Sequence, residues 1–141
     1  MKIALVSCTK LKEEYPCEAK KLYSKSTLFK KAVNYIEAKD YDDWYVLSAK
    51  YGLLSKDKVI EPYDVTLNKM NIRERKFWAE SVLRDIVKIK PNEIDFYAGN
   101  KYREHLIKPL RDIGILVNVP LEGKAIGEQL RFYTERHEEV K

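Results

Sequence analysis

Glycine is scarce in this 141-residue sequence, with five in all, and none falls in a phosphate-cradling pattern. There is no P-loop and no dinucleotide G-x-G-x-x-G run, so the common nucleoside-triphosphatase and nicotinamide-binding classes are excluded. The G-x-S-x-G elbow of α/β-hydrolases is missing too. Cysteine is limited to Cys8 and Cys17, whose spacing is neither that of a zinc site nor that of a thioredoxin. His105 and His137 stand at no metal-ligand spacing from each other or from the cysteines. Neither a metal nor a cofactor is therefore expected. No apolar run approaches the ~20 residues of a membrane span. The opening "MKIALVSC" is too short for a secretory signal and lacks a small-residue cleavage pattern. It reads as a first strand at the natural N-terminus, which makes the cytoplasm the expected location, with both cysteines reduced.

Charge and apolar residues are plentiful. Charged residues make up 35% and hydrophobic residues 45%, the balance of a globular chain rather than a disordered one. The length suits a single domain over 1–141, large enough for a core without disulfides. The net charge of +5 favours polyanionic partners such as nucleic acid or nucleotides. Lysine-rich enzymes of thermophile type share that composition. Ten tyrosines stand out. Tyrosine stacks on bases, but most of these are expected in half-buried positions of the core.

The apolar pattern alternates between strands and helices. Strands are expected at 2–7, 43–48, 93–98 and 115–119. Helices are expected at 26–38, 71–89, 100–113 and 124–138. Ser26, Asn71 and Asn100 are candidate N-caps, and Gly114 a C-cap. Leu28, Phe29, Ala32, Val33 and Ile36 share one helix face; Trp78, Val82, Ile86 and Ile89 share another. Ile126, Leu130, Tyr133 and His137 mark one side of the last helix. Pro109 should kink or split the third helix. Strands separated by helices imply an α/β, three-layer single domain, with a central mostly parallel sheet of about four strands and helices on both faces. Segments 8–20 and 49–70 are irregular and long enough to suggest function.

Ligands of such sheets bind beyond the carboxyl ends of the strands. The first strand ends in Ser7, Cys8, Thr9, Lys10 and Lys12; the second in Ser48, Lys50, Tyr51 and Gly52. The third ends in Gly99, Asn100, Tyr102 and Arg103, and Gln129 comes after the fourth. On one rim these would suit a phosphate and a flat ring. Each group has a plainer reading. "SCTK" is also a turn with solvated lysines, and Cys8 is small and apolar enough for a core. Beside Lys10 and Lys12 it would instead be a reactive thiolate. "EPYD" at 61–64 is a β-turn candidate that carries Tyr63 and Asp64; Asp64 and Glu61 are acid–base candidates without a histidine partner. "RERK" at 73–76 is a solvated face or a backbone-phosphate contact.

The stretches "SCTK" (7–10), "AKKLYSKSTLF" (19–29), "LSAKYGLL" (47–54), "PYDVTL" (62–67), "AGNKYR" (98–103) and "VPLEGKAIGEQL" (119–130) occur in that order. In them the chain resembles a family of small bacterial, archaeal and phage proteins of unassigned function. It is more distantly similar to the YaaA-type peroxide-stress proteins, which are DNA-associated. A weaker likeness is to the lysine-transferring domain of archaeosine synthases, where Phe29 stands in place of a histidine. The resemblance implies a nucleic-acid or nucleobase theme and one pocket built from the motif residues.

The resulting expectation is a nucleic-acid- or nucleotide-related protein with a cationic, tyrosine-lined pocket, acting on a nucleobase or glycosidic bond. Cys8, Lys10, Lys50 and Asp64 are the catalytic candidates, with a desolvated lysine as one form of nucleophile. Ser7, Thr9, Lys12, Ser48, Tyr51, Tyr63, Asn100, Tyr102, Arg103 and Gln129 are the binding candidates. Tyr51 and Tyr102 would stack on the ring, Arg103 would hold phosphate, and Asn100 or Gln129 would read polar edges. The alternatives are a non-catalytic DNA-binding stress protein and a scaffold whose strand-end residues merely cap loops.

Overall fold

A computed structural model describes residues 1–140, and the side chains of residues 1–136. The four expected strands form, as β1 (Lys2–Ser7), β3 (Asp43–Ser48), β6 (Glu93–Tyr97) and β7 (Leu116–Asn118). They pair in parallel, in the order β3-β1-β6-β7. A fifth strand, β4 (Gly52–Ser55), folds back antiparallel on β3, with Ser48 opposite Gly52. The sheet therefore has five strands and is mostly parallel. The extra strand comes from a segment expected to be irregular. Gly52 adopts φ +74°, which a chain reversing directly out of β3 requires and which disfavours other residues. Leu53 and Leu54 then pair with Leu47 and Val46.

The two irregular segments also brace one another. β2 (Cys17–Glu18) pairs antiparallel with β5 (Val59–Ile60). The N–H groups of Ala19 and Lys20, at the start of α1 (Ala19–Leu22), donate to Lys58 O and Lys56 O at 2.9 Å each.

The main helices are α2 (Thr27–Glu37), α3 (Ile72–Ile89) and α6 (Ile126–Val140). Ser26 caps α2 by accepting from Phe29 N at 3.2 Å. Asn71 opens α3 with a reciprocal capping box. Its side chain accepts from Glu74 N at 2.9 Å, while the Glu74 carboxylate accepts from Asn71 N at 3.1 Å. Asn71→Ala should cost about 1 kcal/mol, read as a lower urea midpoint at unchanged slope. An unchanged midpoint would show that the box contributes nothing.

The third expected helix splits into α4 (Asn100–Arg103) and α5 (Ile107–Asp112). Pro109 has no N–H for the His105 carbonyl and its ring crowds that carbonyl, so the break falls before it. Gly99, not Asn100, holds the N-cap position of α4. Gly114, at φ +93°, comes after α5 as expected of a C-cap glycine. Segment 61–64 runs without a turn, contrary to the β-turn expectation.

The core falls into two clusters. Ala4 and Val6 pack with Phe29, Ala32, Val33, Ile36 and Tyr133 of α2 and α6. Ile3 and Leu5, the alternating partners on β1, pack with Trp78, Ala79, Val82 and Ile86 of α3 and with Leu106 and Leu110 near α5. The expected stripes on α2 and α3 are thus buried except at Leu28 and Ile89, which are half-buried. Ile126 is exposed instead of joining Tyr133. The expectation for His137 lies outside the described side chains. No helix of the described residues is long and apolar enough to cross a membrane.

A buried carboxylate interrupts this core. The Asp95 carboxylate, on β6 and 6% exposed, accepts from Tyr41 Oη at 2.5 Å and Asn118 Nδ2 at 2.7 Å, with Lys2 Nζ 3.7 Å away. Asn118 lies opposite Asp95 on β7, so parallel register brings the pair together.

Candidate binding pocket at the strand ends

β1 and β3 end side by side, and Cys8 N continues the ladder by donating to Leu47 O at 3.0 Å. Past that bond the chain leaves the sheet, and Thr9, Lys10 and Lys12 form a loop. Thr9 Oγ1 donates to Leu11 O at 3.0 Å, and Lys12 Nζ to Lys10 O at 3.3 Å. Beyond β5, the segment through Asp64, Thr66, Asn68 and Lys69 passes in front of this loop. Tyr102 of α4 closes the back. Cys8 Sγ lies 3.5 Å from Tyr102 Oη, which also accepts weakly from Leu67 N at 3.5 Å. Together these residues line a recess of about 300 Å³, with Cys8, Lys10, Lys12, Asp64, Lys69 and Tyr102 as its chemical groups.

A buried hydroxyl chain supports the recess from behind. Tyr63 Oη lies 2.6 Å from Tyr23 Oη and 2.8 Å from Ser48 Oγ, and Ser48 Oγ accepts from Tyr51 N at 3.0 Å. The Lys12 ammonium sits over the Tyr63 ring, 4.5 Å from its centroid. Burial pulls the Lys12 pKa below the ordinary lysine range, although Cys8 and Asp64 oppose the shift. Burial pushes the Tyr63 and Tyr102 phenols up, so both stay neutral donors and acceptors. The recess thus offers a thiol, a partly desolvated amine, a carboxylate and hydroxyls within one small volume. Among the described residues no cluster of three or more His, Cys, Asp or Glu could hold a metal ion.

A model of the family described as "Family of unknown function (DUF6884)" matches residues 3–135. The chain belongs to that family. No curated protein matches it. A solved structure described as "Crystal structure of AF0587, a protein of unknown function" is similar at 15% identity with a TM-score of 0.60. That similarity covers 99% of this chain and 45% of the other, so the chain spans under half of that protein's length. At such identity the likeness concerns the fold alone.

Within this DUF6884 chain the sequence candidates separate into three groups. Cys8, Thr9, Lys10, Lys12, Asp64 and Tyr102 line the recess. Ser48 and Tyr63 lie behind it in the hydroxyl chain, and Ser48 is fully buried. The others lie outside its lining. Lys50 and Tyr51 face a second groove, because the β3–β4 reversal carries them toward α3. Arg103 Nη1 is taken by Ala98 O at 3.0 Å, Gln129 Nε2 by Lys124 O at 3.0 Å, and Asn100 Nδ2 by Glu104 at 3.3 Å. Ser7 ends β1 beside Leu47. Lys10, Lys50 and Arg103 therefore do not meet on one rim. Thr66, Asn68, Lys69 and Tyr23 join the site without having been expected there. Thr66 and Tyr23 fall within the "PYDVTL" and "AKKLYSKSTLF" stretches, which was the available signal.

Proposed function

We propose that the recess binds the phosphate-bearing part of a nucleotide or a nucleic-acid segment and presents its base or glycosidic bond for attack. One observation carries this reading: Cys8, Lys12, Asp64 and Tyr102 come from three separate segments and share one recess at the strand ends. Lys10, Lys12 and Lys69 supply charge for phosphate. Tyr102 and the supporting Tyr63 supply aromatic and hydroxyl surface. Cys8 is the nucleophile of the recess, and Asp64 is a proton carrier lining it. The likeness to YaaA-type proteins supports the nucleic-acid theme, as does the +5 charge. In this reading the two core clusters are the two faces of the sheet, which makes a three-layer domain working in the cytoplasm.

The test is titration with a nucleoside monophosphate, followed by calorimetry and amide NMR. Lys12→Ala should weaken binding about 10- to 100-fold, the range for losing a charged hydrogen bond. Shifts should centre on Cys8, Thr66 and Tyr102. Equal affinity of variant and parent would overturn the reading.

A further inference from the structure

A second concavity of about 920 Å³ lies across the 68–72 ridge from the recess. Asn68 and Lys69 face the recess, whereas Met70 and Ile72 face the groove. The two are also joined through their floors. Trp78 lines the groove, packs edge-on against Tyr102 of the recess at 5.7 Å, and donates from Nε1 to Ser48 O at 2.9 Å. The groove is therefore a continuation of the strand-end site.

Its lining is unusual for a solvated helix face. Phe77, on the first turns of α3, is 74% exposed, and Ile72 at the start of that helix is 56% exposed. Tyr51 stands at the other wall, with the Lys50 ammonium 5.3 Å from its ring centroid. Arg73 and Lys76 project from α3 and make no ion pair among the described residues. The groove also holds two carboxylates, Glu74 and Glu80. Glu74 is already engaged by the backbone N–H of Asn71. Exposed rings interleaved with unpaired cations form the platform that takes successive bases and phosphates of an unpaired strand. A free mononucleotide would fill the recess and leave this groove unused.

We infer that the groove is the track for a single-stranded polynucleotide whose neighbouring nucleotide occupies the recess. Phe77 stacks on a base, and Lys50, Arg73 and Lys76 contact backbone phosphates. The inference rests on the proposed recess reading and narrows its substrate class to polymer.

The test uses labelled oligo-dT and oligo-U of about 12 nucleotides, their duplex forms, and the corresponding monophosphates. The single strands should bind at least tenfold more tightly than the monophosphates. Phe77→Ala should remove most of that gain for at least one of the two strands, while leaving monophosphate affinity unchanged. A double Arg73→Ala, Lys76→Ala variant should flatten the salt dependence of oligonucleotide binding by about 1.4 units of log–log slope. Both variants change exposed positions, and circular dichroism verifies their fold. Oligonucleotides that bind no tighter than monophosphates would overturn the track and leave the recess reading intact. So would Phe77→Ala proving neutral with both strands, or duplexes binding as tightly as single strands. Phe77-dependent oligonucleotide binding without any monophosphate binding would support the track and overturn the recess reading.

Discussion

Raising the pH through the ordinary tyrosine range is expected to unfold this protein cooperatively. Burial pushes up the phenol pKa of Tyr23, Tyr41, Tyr63, Tyr97, Tyr102 and Tyr133. For Tyr23, which is fully buried, the value rises to about 12. In the unfolded chain each phenol releases its proton near pH 10. Between about pH 10 and 12 the native state therefore holds more protons than the unfolded state, and stability falls as pH rises. The stabilisation is fully present below pH 10. Tyr23 alone accounts for roughly 2–3 kcal/mol by pH 12. A domain of this size has about 5–15 kcal/mol to lose. Two or three such phenols together are comparable with the lower part of that range. Near-ultraviolet phenolate absorbance and far-ultraviolet circular dichroism, followed together, provide the check. The buried phenols should ionise in one step that coincides with loss of helix. Gradual ionisation of all ten tyrosines with helical signal retained would contradict the prediction.

Asp95→Ala is expected to destabilise the fold by about 3 kcal/mol. The substitution removes the shared acceptor of Tyr41 and Asn118 and opens a buried gap between them, with Tyr41 left to Tyr97 and Asn118 to Glu93. Lys2 is more exposed and finds Glu93 at 3.5 Å, so its loss is small. Asp95→Asn keeps an oxygen for one of the two donors and should cost clearly less. Urea midpoints of the two variants provide the comparison. Equal, small losses would mean that water replaces the carboxylate, and the network would then be incidental to stability.

Legibility in the sequence differed between the scaffold and the site. The β/α alternation showed because each strand is a short apolar run and each long helix carries a stripe such as Trp78, Val82 and Ile86. Ser26, Asn71 and Gly114 marked ends because their chemistry is local. β4 stayed hidden because Gly52 and a pair of leucines make no periodic pattern, and only pairing with β3 turns them into a strand. The burial of Tyr23, Tyr97 and Tyr133 fits the core role expected of most tyrosines.

The rule that ligands gather past the carboxyl ends of strands named Cys8, Lys10, Lys12 and Tyr102, and the structure brings these four into one recess. The same rule put Lys50 on that rim as well, but the β3–β4 reversal carries it into the neighbouring groove, since the direction a side chain takes out of a hairpin depends on the partner strand. It also missed Lys69, which reaches the recess along a path set by contacts distant in sequence. Arg103 looked available in sequence, but its guanidinium reaches back to Ala98.

The placement of β1 also governs how the chain assembles. β1 lies in the middle of the sheet, with Ile3 between Asp43 on one side and Ile94 on the other. The β1–β3–β4 unit closes from neighbouring segments, but the other flank of β1 stays bare until β6 arrives from far along the chain. Such distant pairing is slow to form because the intervening loop must be closed first. During synthesis, Ile3, Leu5 and Ile94 thus have no common core until β6 has emerged.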